Sequence, residues 1–162
     1  MFSGEHIKQA TALLATLRDK KMTIATAESC TGGLIVTLLT EIPGSSDVVD
    51  RGYVTYSNKA KQDLLGVPER LLTQYGAVSG PVASAMAEGA IVASGASIAV
   101  AVTGIAGPGG GTARKPVGLV HVAVAVGQAK AVVQEHMFTG NRQQVRLRAV
   151  EAALALLQKS VK

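Results

Sequence analysis

The chain has 162 residues, a length that fits one domain able to bury its own core. A single cysteine excludes an intrachain disulfide and a multi-cysteine zinc site. An aromatic content of 3%, with no tryptophan, excludes a stacking platform for single-stranded nucleic acid. The formal net charge is +5, and the positively charged residues are too widely scattered along the chain to form a nucleic-acid-binding stripe.

The first part of the chain predicts helices that alternate with strands. Ser3 is a plausible N-cap, and apolar residues follow it at helical spacing. Gly52 lies inside an otherwise strand-like run, where it predicts a bulge. The predicted elements are, in order, a helix over 3–19, a strand over 22–27, a helix over 34–40, a strand over 48–56 and a helix over 57–65.

The second part adds helices first and then a group of strands. Pro81 occupies the first-turn position that proline favours in helices. A glycine-containing turn at 127–129 predicts a hairpin, and Asn141 predicts a final N-cap. The elements are helices over 68–75 and 81–93, strands over 97–103, 117–126 and 130–138, and a helix over 141–159. Helices between early strands and a late hairpin predict one α/β domain over 1–162, with a mixed sheet covered on both faces.

The first candidate for chemistry is the polar segment 28–31, between a buried strand and an apolar helix. Ser29 would lie at a helix N-terminus, where the N–H groups of the three following residues could cradle an oxyanion. Gly32 and Gly33 would let a ligand approach the backbone closely. An N-cap serine with two turn glycines is the structural alternative. Cys30 is the rival nucleophile, because thiols at helix N-termini are activated.

A serine nucleophile needs a base, and the sequence offers a lysine. There is no G-x-S-x-G elbow, and the three histidines lie far apart in sequence. Lys59 and Lys61 fall in the first turn of a predicted helix, where the helix dipole, mutual repulsion and burial would all lower a lysine pKa. Tyr56 could relay a proton or hold the lysine. The alternatives are two solvated lysines and a core-facing tyrosine.

Two further segments could bind a ligand. One is a strand-terminal threonine with a glycine turn, whose backbone could wrap a ligand or simply form a surface loop. It comprises Thr103, Gly104, Ile105, Ala106 and Gly107. The other is Arg142 with Arg146, one helical turn apart, which could grip a phosphate or carboxylate or be merely solvated. No segment predicts a metal or a cofactor.

Together these segments resemble the CinA C-terminal domain family, which includes stand-alone nicotinamide-nucleotide amidases. Eight blocks match in family order over nearly the whole chain, a specific set. They are TAESCTGG at 26–33, PGSS at 43–46, GYVTYSN at 52–58, LLGV at 64–67, GAVS at 76–79, VTGIAGP at 102–108, KPVG at 115–118, and the run 138–146.

The resemblance implies a three-layer α/β/α sandwich that hydrolyses the carboxamide of nicotinamide mononucleotide, giving nicotinic acid mononucleotide and ammonia in pyridine-nucleotide recycling. It implies Ser29 as nucleophile, Lys61 as base, and Tyr56 and Thr103 in the active site, without metal or cofactor. We expect the other segments named above to bind substrate: Glu28, Cys30, Thr31, Gly32, Gly33, the 104–107 turn, Arg142 and Arg146.

Two residues of this chain depart from the family pattern. Lys59 stands where the family usually has glutamate, and Gly80 where it often has an acidic residue. A non-catalytic nucleotide-binding or regulatory module of the same fold, or a serine amidase for another small amide, therefore remains an alternative. We expect a mononucleotide as partner rather than nucleic acid or membrane, and a homo-oligomer, with a dimer as the base-rate expectation. A charged, amphipathic N-terminus favours the cytoplasm.

Overall fold

The computed structural model describes residues 1–162 and has six helices and five strands. The order matches the predicted one, with ends displaced by a few residues. The helices are α1 (Gly4–Asp19), α2 (Leu34–Thr40), α3 (Asn58–Leu65), α4 (Glu69–Tyr75), α5 (Gly80–Ser94) and α6 (Arg142–Ser160). The strands are β1 (Ile24–Glu28), β2 (Val49–Val54), β3 (Ile98–Gly104), β4 (Leu119–Val126) and β5 (Val132–Met137), and a short 3-10 turn covers Ser45–Asp47.

The five strands form one mixed sheet in the order β2-β1-β3-β4-β5. Strand β1 pairs in parallel with both β2 and β3, whereas β4 pairs antiparallel with β3 and with β5. Antiparallel pairing of β4 with β5 follows from their short hairpin connection. The predicted mixed sheet is confirmed.

Each face of the sheet carries its own hydrophobic core. Large aliphatic side chains of β1, β3 and β4 face α1, α2 and α6. The opposite face packs against α3, α4 and α5 and consists mainly of alanine side chains. These alanines are Ala25, Ala27, Ala99, Ala101, Ala123 and Ala125. Within that layer α5 approaches α3 closely, because a Cβ on Gly89 of α5 would lie 1.9 Å from the Leu65 carbonyl oxygen of α3. Three layers around one sheet confirm the α/β/α sandwich.

The expected bulge lies at a different residue. Ile24 pairs with Val49 and Ala25 with Arg51, so the extra residue of β2 is Asp50 rather than Gly52. Gly52 is instead a point of close packing, because a Cβ there would lie 2.9 Å from Cγ1 of Val36 in α2. A glycine in a strand can signal either feature, and the pairing register decides between them.

Strand topology gathers the candidate segments at one edge of the sheet. Because β2 and β3 flank β1 in parallel, the carboxyl ends of all three strands meet, at a position where α/β sheets usually bind ligands. Ser29 follows β1, Tyr56 follows β2, and the 104–107 turn begins where β3 ends. No helix of the protein combines the length and the apolar character needed to cross a membrane.

Candidate active site

The turn after β1 is fixed by its backbone. The Ser29 amide donates to the Val102 carbonyl of β3 at 2.9 Å, which extends the sheet pairing by one residue. Gly32 and Gly33 then take positive φ values of 59° and 98°, which other residues rarely adopt. The chain therefore reverses directly after Ser29 and enters α2.

Glu28 anchors this turn from inside. Its fully buried carboxylate accepts hydrogen bonds from the amides of Gly33, Ile35 and Val36 at 3.1, 3.0 and 2.9 Å. The N-terminus of α2 has no cap of its own at Gly33, so Glu28 satisfies N–H groups that would otherwise lack partners. We expected Glu28 to bind substrate, but it does not line the cleft described below.

Lys61 reaches the nucleophile turn from α3. The Ser57 hydroxyl caps this helix by accepting the Ala60 amide at 3.0 Å. Only 1% of Lys61 is exposed, and its Nζ lies 3.0 Å from Oγ of Ser29. The same nitrogen donates to the carbonyl oxygens of Thr55 at 2.9 Å and Tyr56 at 3.3 Å. No salt bridge involves Lys61, so its charge has no counter-ion.

Burial lowers the pKa of Lys61, because removing an ammonium group from water disfavours its charged form. Repulsion from Lys59, which we expected to contribute, is not among the causes. The Lys59 side chain is 81% exposed and forms an ion pair with Asp63 at 2.7 Å. Its charge is therefore directed toward solvent and an acid, away from Lys61.

Of the three backbone N–H groups that we expected to surround an oxyanion, one is both available and at the cleft. The Gly32 amide donates to the Ser29 carbonyl at 3.0 Å and is already occupied. The amides of Cys30 and Thr31 make no hydrogen bond to another residue, and of these two residues only Cys30 lines the cleft. The Cys30 N–H, whose one contact is the sulfur of its own side chain, is thus the donor best placed to meet an oxyanion next to Ser29.

The Cys30 thiol itself is a poor nucleophile here. It is 6% exposed, and burial raises its pKa to about 11. A thiol attacks as the thiolate, which is scarce at neutral pH with such a pKa. The arrangement favours Ser29 over Cys30 as the nucleophile.

Ser29, Cys30, Tyr56 and Lys61 line a cleft of about 270 Å³ together with segments after α4 and β3. No aspartate or glutamate lines it. The remaining lining residues are Ala77, Val78, Thr103, Gly104, Ile105, Ala106, Gly107, Gly109, Gly110 and Arg142. Ala77, Val78, Gly109 and Gly110 were not among the expected site residues, although their segments matched the family blocks or extended the glycine-rich run.

Arg142 and Tyr56 close one side of the cleft. Arg142 Nη1 donates to the Gly107 carbonyl at 2.9 Å, and its Nη2 donates to the Tyr56 hydroxyl at 3.3 Å. Tyr56 is 63% exposed, so it is not a core residue. Thr103 is buried, and its hydroxyl donates to the Ala77 carbonyl at 2.8 Å, which joins two walls of the cleft.

The remaining expected site residues lie outside the cleft lining. Arg146 donates through Nε to the Cys30 carbonyl at 3.0 Å and through Nη2 to the Thr31 carbonyl at 2.9 Å. It therefore contacts the nucleophile turn rather than the cleft, which Thr31, Gly32 and Gly33 also do not line. No group of three or more histidine, cysteine, aspartate or glutamate residues is arranged to hold a metal ion.

Neither of the two departures from the family pattern touches the cleft. Lys59 points to solvent, as described above, and Gly80 begins α5 beside Val133 and His121. A Cβ at Gly80 would lie 3.6 Å from Val133 Cγ1, an ordinary contact distance. Neither Lys59 nor Gly80 therefore lies among the residues that line the cleft around Ser29 and Lys61.

Known proteins resemble this chain in sequence and in fold. A CinA-like protein from Syntrophobacter fumaroxidans is 54% identical over 141 residues, 87% of this chain and 33% of that protein. One from Mycobacterium marinum is 53% identical over 145 residues, 90% of this chain and 34% of that protein. The chain thus spans about a third of the length of these curated relatives.

Solved structures cover the chain more completely. The competence/damage inducible protein CihA from Agrobacterium tumefaciens is 48% identical with a TM-score of 0.97, covering 100% of this chain and 99% of that one. A CinA superfamily protein from Escherichia coli is 33% identical with a TM-score of 0.92, covering 99% of this chain and 94% of that one. A family model described as the CinA C-terminal domain matches residues 6–161, so the chain belongs to the CinA C-terminal domain family.

Proposed function

We propose that this chain is an amidohydrolase that removes the amide nitrogen of nicotinamide mononucleotide, with Ser29 as nucleophile and Lys61 as base. The observation that carries the proposal is the 3.0 Å contact between Lys61 Nζ and Ser29 Oγ at the end of a cleft. A buried amine without a counter-ion beside a serine hydroxyl is the arrangement that a serine-lysine mechanism requires. The substrate itself comes from the family resemblance.

The hydrogen bonds around Lys61 suit a neutral amine. Two of its N–H groups are directed to the carbonyl oxygens of Thr55 and Tyr56. A neutral amine has one lone pair left, and Ser29 is the remaining polar neighbour. The Ser29 hydroxyl would then donate to Lys61, which is the direction of proton transfer that activates the serine.

The reaction can be written with these groups alone. Ser29 Oγ attacks the carboxamide carbon as its proton passes to Lys61, and the Cys30 N–H stabilises the oxyanion. The tetrahedral intermediate collapses, and Lys61, directly or through Tyr56, returns the proton to the leaving nitrogen, which departs as ammonia when the C–N bond breaks. Water then attacks the acyl-enzyme and gives one proton to Lys61, and Lys61 passes that proton to Ser29 Oγ as the carboxylic acid leaves, which restores both residues.

The cleft is consistent with a small amide carried on an anion. Its volume of about 270 Å³ suits the reacting ring rather than a whole nucleotide, which would extend outward. Arg142 is the one arginine of the lining, and no carboxylate opposes it. It is therefore the first candidate to meet the substrate phosphate.

Two alternatives share this site. A serine amidase for another small amide would use the same pair, and a nucleotide-binding module would keep the cleft without turnover. The buried contact between Ser29 and Lys61 favours an enzyme over a binding module, and neither departure from the family pattern lies in the cleft lining.

A panel of four amides tests the proposed function. Purified protein is incubated with nicotinamide mononucleotide, nicotinamide riboside, nicotinamide and glutamine, and ammonia is measured for each. We expect the mononucleotide to give the highest kcat/KM, and Arg142→Gln to lower that value by a larger factor than the value for the riboside. Equal turnover of another amide would replace the substrate assignment. Bound mononucleotide without ammonia would support the binding module.

A further inference from the structure

A series of hydrogen bonds connects Arg146 to the amide of Cys30. Arg146 Nη2 donates to the Thr31 carbonyl at 2.9 Å. The peptide unit of that carbonyl ends in the Gly32 N–H, which donates to the Ser29 carbonyl at 3.0 Å. The Ser29 carbonyl in turn belongs to the peptide unit that ends in the Cys30 N–H. Two peptide units therefore separate the guanidinium from that N–H.

The direction of the series follows from peptide geometry. These peptides are trans, since the one cis bond of the chain is Gly107-Pro108. In a trans peptide the C=O and N–H point in opposite directions. The Cys30 N–H therefore points away from the Gly32 amide. It bonds to no other residue, and Cys30 lines the cleft beside Ser29.

The charge of Arg146 is available to polarise this series. Arg146 is half-buried and forms no salt bridge, and the buried carboxylate of Glu28 in the same turn is bonded to amides at the start of α2 instead. Its Nε also donates to the Cys30 carbonyl at 3.0 Å, which fixes the neighbouring peptide plane. Hydrogen bonds in series strengthen one another, and a charged donor at the start has the largest effect.

We infer that Arg146 is a positioning residue, which orients the nucleophile turn and makes the Cys30 amide a stronger donor to the oxyanion. The inference rests on the serine chemistry proposed above, although not on the choice of nicotinamide mononucleotide as substrate. Arg146 acts through the backbone and touches no substrate atom. Its removal should therefore slow the chemical step and leave ground-state binding nearly unchanged.

The test uses an activated ester, so that it does not depend on the natural substrate. Attack of Ser29 on p-nitrophenyl acetate forms the serine ester, releases p-nitrophenolate and transfers the serine proton to Lys61. The acylation rate constant and KM are measured for the native protein, Arg146→Gln, Arg146→Lys and Arg148→Gln. Arg148 is the matched control, because it also donates to a backbone carbonyl, that of Thr139 at 2.7 Å, but lies away from the turn.

We expect Arg146→Gln to lower the acylation rate constant by roughly tenfold, less than the about hundredfold or greater loss on removing an oxyanion donor itself. KM should change by less than about twofold, because ground-state binding is retained. Arg146→Lys should recover part of the rate, and Arg148→Gln should match the native protein. If Arg146→Gln fails to fold, the acylation rate constant of Arg146→Lys is compared with that of Arg148→Gln instead, and we expect the Arg146→Lys value to be the lower one.

Two results would overturn the inference: an Arg146→Gln rate equal to that of Arg148→Gln, or a loss that appears only in KM. Failure of the proposed function looks different. Native protein that acylates at Ser29 but releases no ammonia from nicotinamide mononucleotide would remove the substrate assignment and leave the role of Arg146 standing. Absence of acylation at Ser29 in the native protein would remove both.

Discussion

The amine of Lys61 lies 3.0 Å from the hydroxyl oxygen of Ser29, although the two residues are 32 positions apart in the chain. Parallel pairing of β1 with β2 brings them together, because Ser29 follows one strand and the helix that contains Lys61 follows the other. The contact is buried and has no acidic neighbour in the cleft lining.

Replacing Lys61 with methionine should remove the base and preserve most of the buried volume. We expect turnover to fall by roughly a hundredfold to ten-thousandfold, the usual contribution of a general base. Lys59→Met is the matched control, since Lys59 is two residues away on the same helix and exposed. Ammonia release is measured for both variants, with thermal melting to confirm folding. Lys61→Met with turnover equal to that of Lys59→Met would exclude Lys61 as the base.

The lowered pKa of Lys61 predicts how stability depends on pH. In the folded protein the pKa of Lys61 lies below 10.5, the ordinary value for a lysine. In the unfolded chain Lys61 has that ordinary pKa. Between these two pKa values the unfolded chain binds more protons, so the free energy of unfolding contributed by Lys61 rises with pH. Below the folded pKa the penalty for burying the charge is fully present. The same deprotonation should raise kcat/KM across this window.

Urea denaturation at a series of pH values measures this contribution. The free energy of unfolding of Lys61→Met, subtracted from that of the native protein, isolates Lys61 from the other titrating groups. We expect the difference to increase as pH rises toward 10.5. A difference that stays flat or decreases would mean that burial does not shift this pKa in the expected direction.

The buried Cys30 thiol should be unreactive and dispensable as a side chain. Cys30→Ala keeps the backbone amide, so we expect turnover to change by less than about threefold. Iodoacetamide should leave the native protein unmodified at neutral pH, as judged by intact mass, because the pKa of the thiol is raised to about 11. Rapid alkylation of the native protein together with loss of turnover in Cys30→Ala would instead identify Cys30 as the nucleophile.

Glu28 should contribute to stability through the amides it accepts. Glu28→Gln places a donor NH₂ group against at least one of the three N–H groups at the start of α2. A buried donor left without an acceptor costs about 1–3 kcal/mol, and we expect a loss of that size in the free energy of unfolding.

Glu41→Gln provides the control for Glu28, at the opposite and exposed end of the same helix. Its effect should remain within about 0.5 kcal/mol, as for other surface substitutions. Urea denaturation compares the two variants. Equal effects would show that the carboxylate of Glu28 has no special part in holding the turn.

The fold followed from local features of the sequence. Helix periodicity and polar caps predicted the helices, and the structure confirms Ser3 and Asn141 as capping residues. The short hairpin before α6 predicted antiparallel pairing. The bulge was misplaced because a glycine does not reveal which residue of the partner strand it faces, and that register sets the position of Asp50.

The contacts within the site could be predicted less well from short segments of the sequence. Spacing alone cannot bring Ser29 and Lys61 together, and their expected pairing came from the family resemblance. Arg142 and Arg146 share a helix face, yet one reaches the glycine turn after β3 and the other the turn after β1. Their separate targets depend on the crossing of α6 over strands that are distant in sequence.

The expected lysine repulsion was wrong because Lys59 pairs with Asp63 one turn along the helix. That partner was already visible in the sequence at the i,i+4 spacing typical of helical ion pairs. The burial of Lys61 was not visible, since it depends on how α3 packs above the sheet. Tertiary contacts therefore decided that Lys61 is the lysine buried beside Ser29.

The most direct test of the Ser29–Lys61 assignment measures ammonia and nicotinic acid mononucleotide together from nicotinamide mononucleotide, using the native protein and Ser29→Ala. We predict equal amounts of the two products from the native protein. We predict neither product, at unchanged thermal stability, from Ser29→Ala. Release of ammonia by Ser29→Ala at the native rate would contradict the serine-lysine mechanism, whatever the other variants show.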